Sequence, residues 1–241
     1  MADSDIQKFT EENFPSPIEN LAGSWRKLLS SWRSIALITF VAFCANCLLI
    51  LFFYGSFLYT LVKTILTGRL LWPGLLVFMG ISSFIAAILS WQHASILYLL
   101  DGHNDLPKSL QLGLTRFLPL LLVYFLEFFL IALGAVFFLA PGAIFAIWFI
   151  FAQISAVCDR ENGIQALYVS KRLADRYFGK IAVHILFLTC LNAAIAAIGL
   201  FIAPILPILL YAWNSFSLIY WHRLYRTLRP EHSEGAVALG A

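Results

Sequence analysis

The chain has 241 residues, of which 61% are hydrophobic and only 12% charged, far from the roughly half-apolar, quarter-charged usage of soluble domains. A soluble globular protein is excluded, and a net charge of +3 gives no reason to expect nucleic acid, so the lipid bilayer is the expected partner. Spans of about 20 residues each would use most of this length, which leaves one membrane domain over 16–229 between polar tails at 1–15 and 230–241.

The N-terminal "MADSDIQKFTEENF" is polar and mixed in charge, unlike a basic segment followed by a short apolar core and a small-residue cleavage site; no removed signal is expected. In "SPIENLAGSWRKLLSSWR", Ser16 and Glu19 have capping-box spacing around Pro17. Ile18, Leu21, Ala22, Trp25, Leu28, Leu29 and Trp32 then follow helical spacing. An amphipathic helix is expected over 17–32, with Arg26, Lys27 and Arg33 placed to meet anionic headgroups. The first span, 34–62, contains Cys44 and Cys47 as C-x-x-C. A redox or zinc motif needs accessible thiolates or further ligands, so small-residue packing is the expectation. After "KTILTGRLL", Pro73-Gly74 opens a second span over 72–99. "DGHND", Asp101 to Asp105, reads as a helix terminator with a solvated turn rather than a cation site. "DLPKSLQLGLTR" is a short and weak amphipathic segment.

From Phe117 to Val157 the chain is apolar over 41 residues. As one helix it would reach about 60 Å, twice the hydrocarbon core. It must fold back. Pro141, which suits the first turn of a new helix, and Gly142, which tolerates close approach, mark the tip, giving spans over 117–139 and 141–157. "DREN", Asp159 to Asn162, is another solvated terminator. Asn162 and Gln165 then introduce a second amphipathic helix over 163–178. It aligns Ile164, Leu167, Tyr168, Ala174 and Phe178, with Lys171, Arg172 and Arg176 on other faces as lipid-headgroup contacts. Gly199, Pro204 and Pro207 divide the remaining apolar run into spans over 181–200 and 204–222.

The expected architecture is all-α: a polytopic membrane protein with six transmembrane helices in three hairpins and cytoplasmic amphipathic helices. Fourteen of the sixteen Lys and Arg residues then fall on one side, leaving only Lys63 and Arg69 on the other. The positive-inside rule puts both termini in the cytoplasm. The tips Pro73, Pro141 and Pro204 recur at 68 and 63 residues, and the span ends "ASILYLLDG", "AQISAVCDR" and "NSFSLIYWH" have similar texture. A degenerate repeat of amphipathic helix, span, tip, span, with a pseudo-threefold arrangement, is one hypothesis; that any six-span chain divides into three hairpins is the other.

Glu127 is the sole acid near the centre of a span, where a charge costs about 2.5–3.5 kcal/mol on insertion scales. It needs a partner or water, as a hydrogen-bonded anchor or as a proton or cation site. Candidate partners are Asn46, Gln92, His93, Gln153, His184, Asn192 and Asn214, each of which more often serves interhelical hydrogen bonding than chemistry. Glu127, Gln153, His184 and Asn192 form the candidate intramembrane polar site. The sequence contains no H-E-x-x-H, G-x-S-x-G or phosphate loop. Its five histidines are scattered, so no catalytic, cofactor or metal site is expected.

"APGAIFAIWFIFAQISAVCDRENGIQALYVSKRLADRYFGKIAV" resembles the hallmark of YciC-like bacterial inner-membrane proteins and of the membrane domain attached to some glycerophosphodiester phosphodiesterases. The shared pattern is Pro-Gly, an apolar span, an acidic turn, then Gly163, Ala166, Ser170 and Arg172. The ending "SLIYWHRLYRTLR" also fits, and the likeness covers about residues 100–229. Gln153 departs from it, standing where the pattern often has Pro. The resemblance implies a six-span inner-membrane domain of largely uncharacterised activity. It does not imply phosphodiesterase chemistry, whose catalytic barrel is a separate soluble domain. The first expectation is a non-enzymatic protein of the bacterial inner membrane, in envelope homeostasis or assembly, with a second copy or another membrane protein as the candidate protein partner. The alternative is a small-molecule or ion transporter or channel using Glu127, against which the lack of a clear broken-helix pair counts.

Overall fold

The computed structural model describes residues 14–67, 72–102, 105–137, 139–201 and 206–229. The expected tails, the Gly68–Leu71 tip, His103 and Asn104 of "DGHND", and the Pro204 tip therefore lie wholly or largely outside the described residues. What is described is helical: α1 (Pro17–Ser30), α2 (Trp32–Thr67), α3 (Trp72–Leu100), α4 (Leu106–Phe137), α5 (Leu139–Phe149), α6 (Ala152–Cys158), α7 (Ile164–Arg176), α8 (Phe178–Phe201) and α9 (Leu206–Leu228). This is an all-α multi-pass membrane protein. Among the described residues, five stretches are long and apolar enough to cross a bilayer: Trp32–Leu51, Gly80–Leu100, Leu106–Val136, Ala140–Cys158 and Phe178–Gly199. The sixth expected span corresponds to α9, whose 23 residues are long enough but carry Asn214, Ser215 and His222 inward.

Burial sorts the helices into two layers. Gly80–Leu100 and Ala140–Cys158 are 56% and 44% buried, against 22%, 17% and 17% for Trp32–Leu51, Leu106–Val136 and Phe178–Gly199. In α9, Ser215, Phe216, Leu218, Ile219, Tyr220, His222, Leu224 and Tyr225 are all buried. The second span of each expected hairpin therefore lies inside, and the first faces outward. The core is formed by Ile96, Leu97, Phe151, Ile154, Ile219, Leu224 and Tyr225 from the three inner spans, closed by Ile38, Leu120 and Ile181 from the outer ones.

The chain does turn back near Pro141. There Gly134 and Gly142 bring the α4 and α5 backbones together so closely that a Cβ on Gly134 would meet Gly142 N at 3.0 Å. Three details depart from the expected elements. Residues 106–116 are not a separate amphipathic segment, because α4 runs unbroken through Pro119; a proline in a spanning helix is tolerated where neighbouring helices and side chains re-satisfy the backbone. The expected span 141–157 is two helices, with a turn at Ile150 and Phe151 between α5 and α6. The third departure concerns α7, whose apolar positions do not act together: Ile164 and Tyr168 are exposed while Leu167 and Ala174 are buried.

The first and third repeat units share a local device. α1 ends at Ser31 (φ −123°, ψ 18°), whose N–H donates to Leu28 O, and α2 begins at the next residue. α7 ends at Tyr177 (φ −123°, ψ 26°), whose N–H donates to Ala174 O, and α8 follows at once. Each amphipathic helix is thus joined to its span through a single residue.

Candidate functional site: a polar cluster on the inner spans

The break in the fourth span has no proline or glycine in it; "FAIWFIFAQIS" would read as continuous helix. Its cause is tertiary. Ser170, fully buried on α7, accepts from the Phe151 backbone N–H at 3.1 Å and donates to Trp148 O at 2.7 Å. One hydroxyl thereby satisfies a donor and an acceptor that the turn frees from the helical ladder, as buried non-helical backbone at membrane depth requires. Phe151 is held from the other side by the rings of Trp221 and Tyr225, at centroid distances of 6.0 and 5.5 Å. The N-terminus of α7 is set by Gly163, whose φ of +46° suits a residue without a Cβ, and Ala166 is fully buried. Gly163, Ala166 and Ser170, three residues of the resemblance, each have an identifiable structural task.

Gln153 lies two residues past Phe151 and donates from Nε2 to Glu127 Oε2 at 3.0 Å. Its Oε1 lies 3.4 Å from His93 Nδ1. The same ring nitrogen pairs with the Tyr124 hydroxyl, and His93 Nε2 pairs with Asn214 Nδ2 at 2.9 Å. A continuous chain thus runs from Glu127 through Gln153 and His93 to Tyr124 and Asn214, joining α3, α4, α6 and α9. Of the four candidate site residues, the structure unites Glu127 and Gln153. His184 is apart, bonded through Nδ1 to the Tyr220 hydroxyl at 2.5 Å and through Nε2 to Pro15 O at 3.2 Å. Asn192 is exposed on the outward face of α8. Other polar span residues form separate links: Gln92 to Ser215 at 3.0 Å, Ser215 to Thr39 at 2.9 Å, and Asn46 to Tyr211.

A second polar level lies where the three inner spans end. Asp101 pairs with Arg226, and Asp159 pairs with Arg229 and accepts from the Tyr225 hydroxyl. His222 Nε2 is 3.8 Å from Asp101 Oδ1. This corrects the solvated-turn reading at Asp101 and Asp159, while Asp105, Arg160 and Asn162 are exposed as that reading has them. The Asp101 and Asp159 side chains are only 12% and 5% exposed, because His222, Tyr225 and Arg226 on α9 and Arg229 just past its end recur at helical spacing and reach both turns. Gly102, at φ +102°, still terminates α3 as expected.

The expected headgroup contacts are placed unequally. Arg26, Lys27, Arg172 and Arg176 are exposed. Lys171 is engaged by Asp175 at 3.5 Å and lies over the Trp148 ring, 4.6 Å from its centroid. The N-terminal helix itself shows a reversed burial. Asn20, Gly23 and Ser24 are buried against α9, with Asn20 Nδ2 donating to Tyr220 O at 3.1 Å. Ile18, Trp25 and Leu29 are instead 70%, 55% and 55% exposed, and Trp32 at the start of α2 is 54% exposed.

No family model matches this chain, and neither a curated protein nor a solved structure was found to match it.

Proposed function

We propose that this is a non-enzymatic multi-pass protein of the bacterial inner membrane, with both termini cytoplasmic, whose basic amphipathic helices rest on anionic lipid of the inner leaflet. Its role is in envelope homeostasis or assembly, in kinship with the YciC-like proteins. The observation that carries the reading is the orientation of α1. A helix that buries Asn20 and Ser24 while exposing Ile18, Trp25 and Leu29, with Trp32 exposed at the start of α2, is at odds with water on its outer side and well suited to an acyl–headgroup boundary, with Arg26 and Lys27 beside the apolar stripe. The capping box supports it too: Ser16 N–H donates to Glu19 Oε2 at 2.8 Å and Glu19 N–H to Ser16 Oγ at 3.2 Å, fixing the helix start.

The test is lipid crosslinking in nanodiscs containing anionic phospholipid. Replacing Arg26, Lys27, Lys171, Arg172 and Arg176 by Gln is expected to weaken crosslinking severalfold, and brominated lipid is expected to quench Trp25 and Trp32. Unchanged crosslinking together with unquenched tryptophans would overturn the reading.

One observation favours a second function, proton or cation movement through the bundle. The Glu127–Gln153–His93 chain lies immediately beside a broken span, the kind of position where transporters place coupling-ion sites. On that reading Glu127→Gln abolishes proton- or cation-dependent flux in proteoliposomes while the protein stays folded. Undiminished flux, or no flux in the parent protein, returns Glu127 to an anchoring role.

A further inference from the structure

The ends of the three inner spans bring together a side-chain set of which Asp101 is already ion-paired, with Arg226. Asp101 at the end of α3, Cys158 at the end of α6 and His222 on α9 each present a ligand atom, and all three atoms lie within 4.8 Å of one another. Four-coordinate zinc with bonds of about 2.0–2.3 Å holds its ligand atoms roughly 3.3–3.8 Å apart. Movements of an ångström or less would therefore close the set on an ion. His222 Nε2 is buried and has no hydrogen-bond partner, in a side chain that is only 9% exposed. A buried imidazole nitrogen without a partner costs free energy unless something binds it, and this one points toward the Asp101 carboxylate.

We propose that Asp101, Cys158 and His222 form a transition-metal site of the zinc class, which ties together the inner-span ends. Thiolate and imidazole select a borderline-soft ion over magnesium or calcium. Binding forms a sulfur–metal bond and releases the Cys158 proton to solvent. Asp101 Oδ1 faces both His222 and Arg226, so an ion bound there would share the carboxylate with the guanidinium. The two carboxylates Asp101 and Asp159 balance the two guanidiniums Arg226 and Arg229 at this level, so a bound ion meets no net positive charge from these four groups. Three protein ligands leave the fourth position open for water, unlike the closed four-ligand structural sites. The ligands come from segments far apart in the chain but at equivalent ends of the proposed repeat, so no spacing motif announces them.

The experiment uses the full chain in nanodiscs, stripped with chelator and titrated with Co²⁺ and, separately, Zn²⁺. The parent protein is expected to develop a near-ultraviolet thiolate-to-cobalt charge-transfer band, and Zn²⁺ is expected to raise its unfolding temperature. Cys158→Ser, nearly isosteric, loses the band, and His222→Gln abolishes the Zn²⁺-dependent rise. Should His222→Gln not fold, the band in the parent and its loss in Cys158→Ser decide the matter. The proposal is overturned if no charge-transfer band forms. It is equally overturned if Zn²⁺ stabilises the parent and Cys158→Ser alike, which marks an adventitious ion only.

Discussion

Ser170 gives the most direct test of how the fourth span is built. Ser170→Ala removes a hydroxyl that is fully buried and serves two backbone groups, Phe151 N–H at 3.1 Å and Trp148 O at 2.7 Å. Leaving a buried polar group without a partner costs about 1–3 kcal/mol, so two such groups give about 2–6 kcal/mol, and partial relaxation of the turn brings the expected loss to about 3 kcal/mol. The control is Ser90→Ala. Ser90 is also fully buried, but its Oγ donates to Ala86 O at 2.8 Å, a carbonyl one turn earlier in the same unbroken helix. Losing that bond orphans no backbone group and should cost under about 1 kcal/mol. Unfolding in mixed micelles, followed by circular dichroism against denaturant, measures both. Equal stabilities for the two variants would refute the argument that Ser170 holds the break together.

Three further outcomes follow from the same geometry. A Cβ at Gly113 would meet Ser95 Oγ and lie 3.1 and 3.2 Å from Ser95 N and Cα, so Gly113→Ala should destabilise by about 1–3 kcal/mol; Ser95→Ala should restore only part of this in the same unfolding assay, because backbone remains in the way. The Asp159–Arg229 pair should show a coupling of about 1–3 kcal/mol in a double-mutant cycle, since Asp159 is nearly enclosed; a coupling near zero would mean that water screens the pair. The Glu19 carboxyl is held below its ordinary 4.5 by hydrogen bonds from the Ser16 backbone and side chain, so it stabilises the α1 start above the unfolded-state pKa, and that contribution is lost as pH falls through the lower folded value. Trp25 fluorescence should report this acid-side change, and Glu19→Gln should remove it.

The fold class is legible because composition excludes water as the only solvent and because Pro-Gly pairs interrupt apolar runs that are too long for one crossing. The α5–α6 break is illegible for the opposite reason: its cause is a serine on another helix, and no local residue signals it. Amphipathic spacing revealed α1, but spacing alone does not say which face is buried. In a protein that lies in lipid the apolar face turns outward, while Asn20, Gly23 and Ser24 dock. The polar cluster was half visible. Glu127 stands out as a lone intramembrane acid, yet its choice of Gln153 over His184 or Asn192 depends on helix rotation, which hydropathy does not encode. The ion-paired ring did leave a signal. An aspartate closes two of the three repeat ends, and His222, Tyr225, Arg226 and Arg229 have the spacing of one helical face.

The two polar levels share one short connector, and that has a testable consequence. α6 has seven residues; Gln153 lies at its start and Cys158 at its end, about 7.5 Å apart by helical rise. Its upper end is fixed by Ser170 through Phe151 N–H, and its lower end by Asp159 through Tyr225 and Arg229. Substitutions more than about 7–10 Å apart with no shared partner normally add to within about 0.3–0.5 kcal/mol. Ser170 and Asp159 have no common hydrogen-bond partner, but they hold opposite ends of one rigid segment. If α6 moves as a unit, freeing either end relaxes both polar levels, so the stability loss of Ser170→Ala combined with Asp159→Asn should fall short of the summed single losses by more than about 1 kcal/mol. Strict additivity would show that the membrane-centred cluster around Glu127 and the charged ring respond independently. A clear shortfall would make α6 the element through which events at one level, whether ion binding at the ring or protonation of Glu127, reach the other.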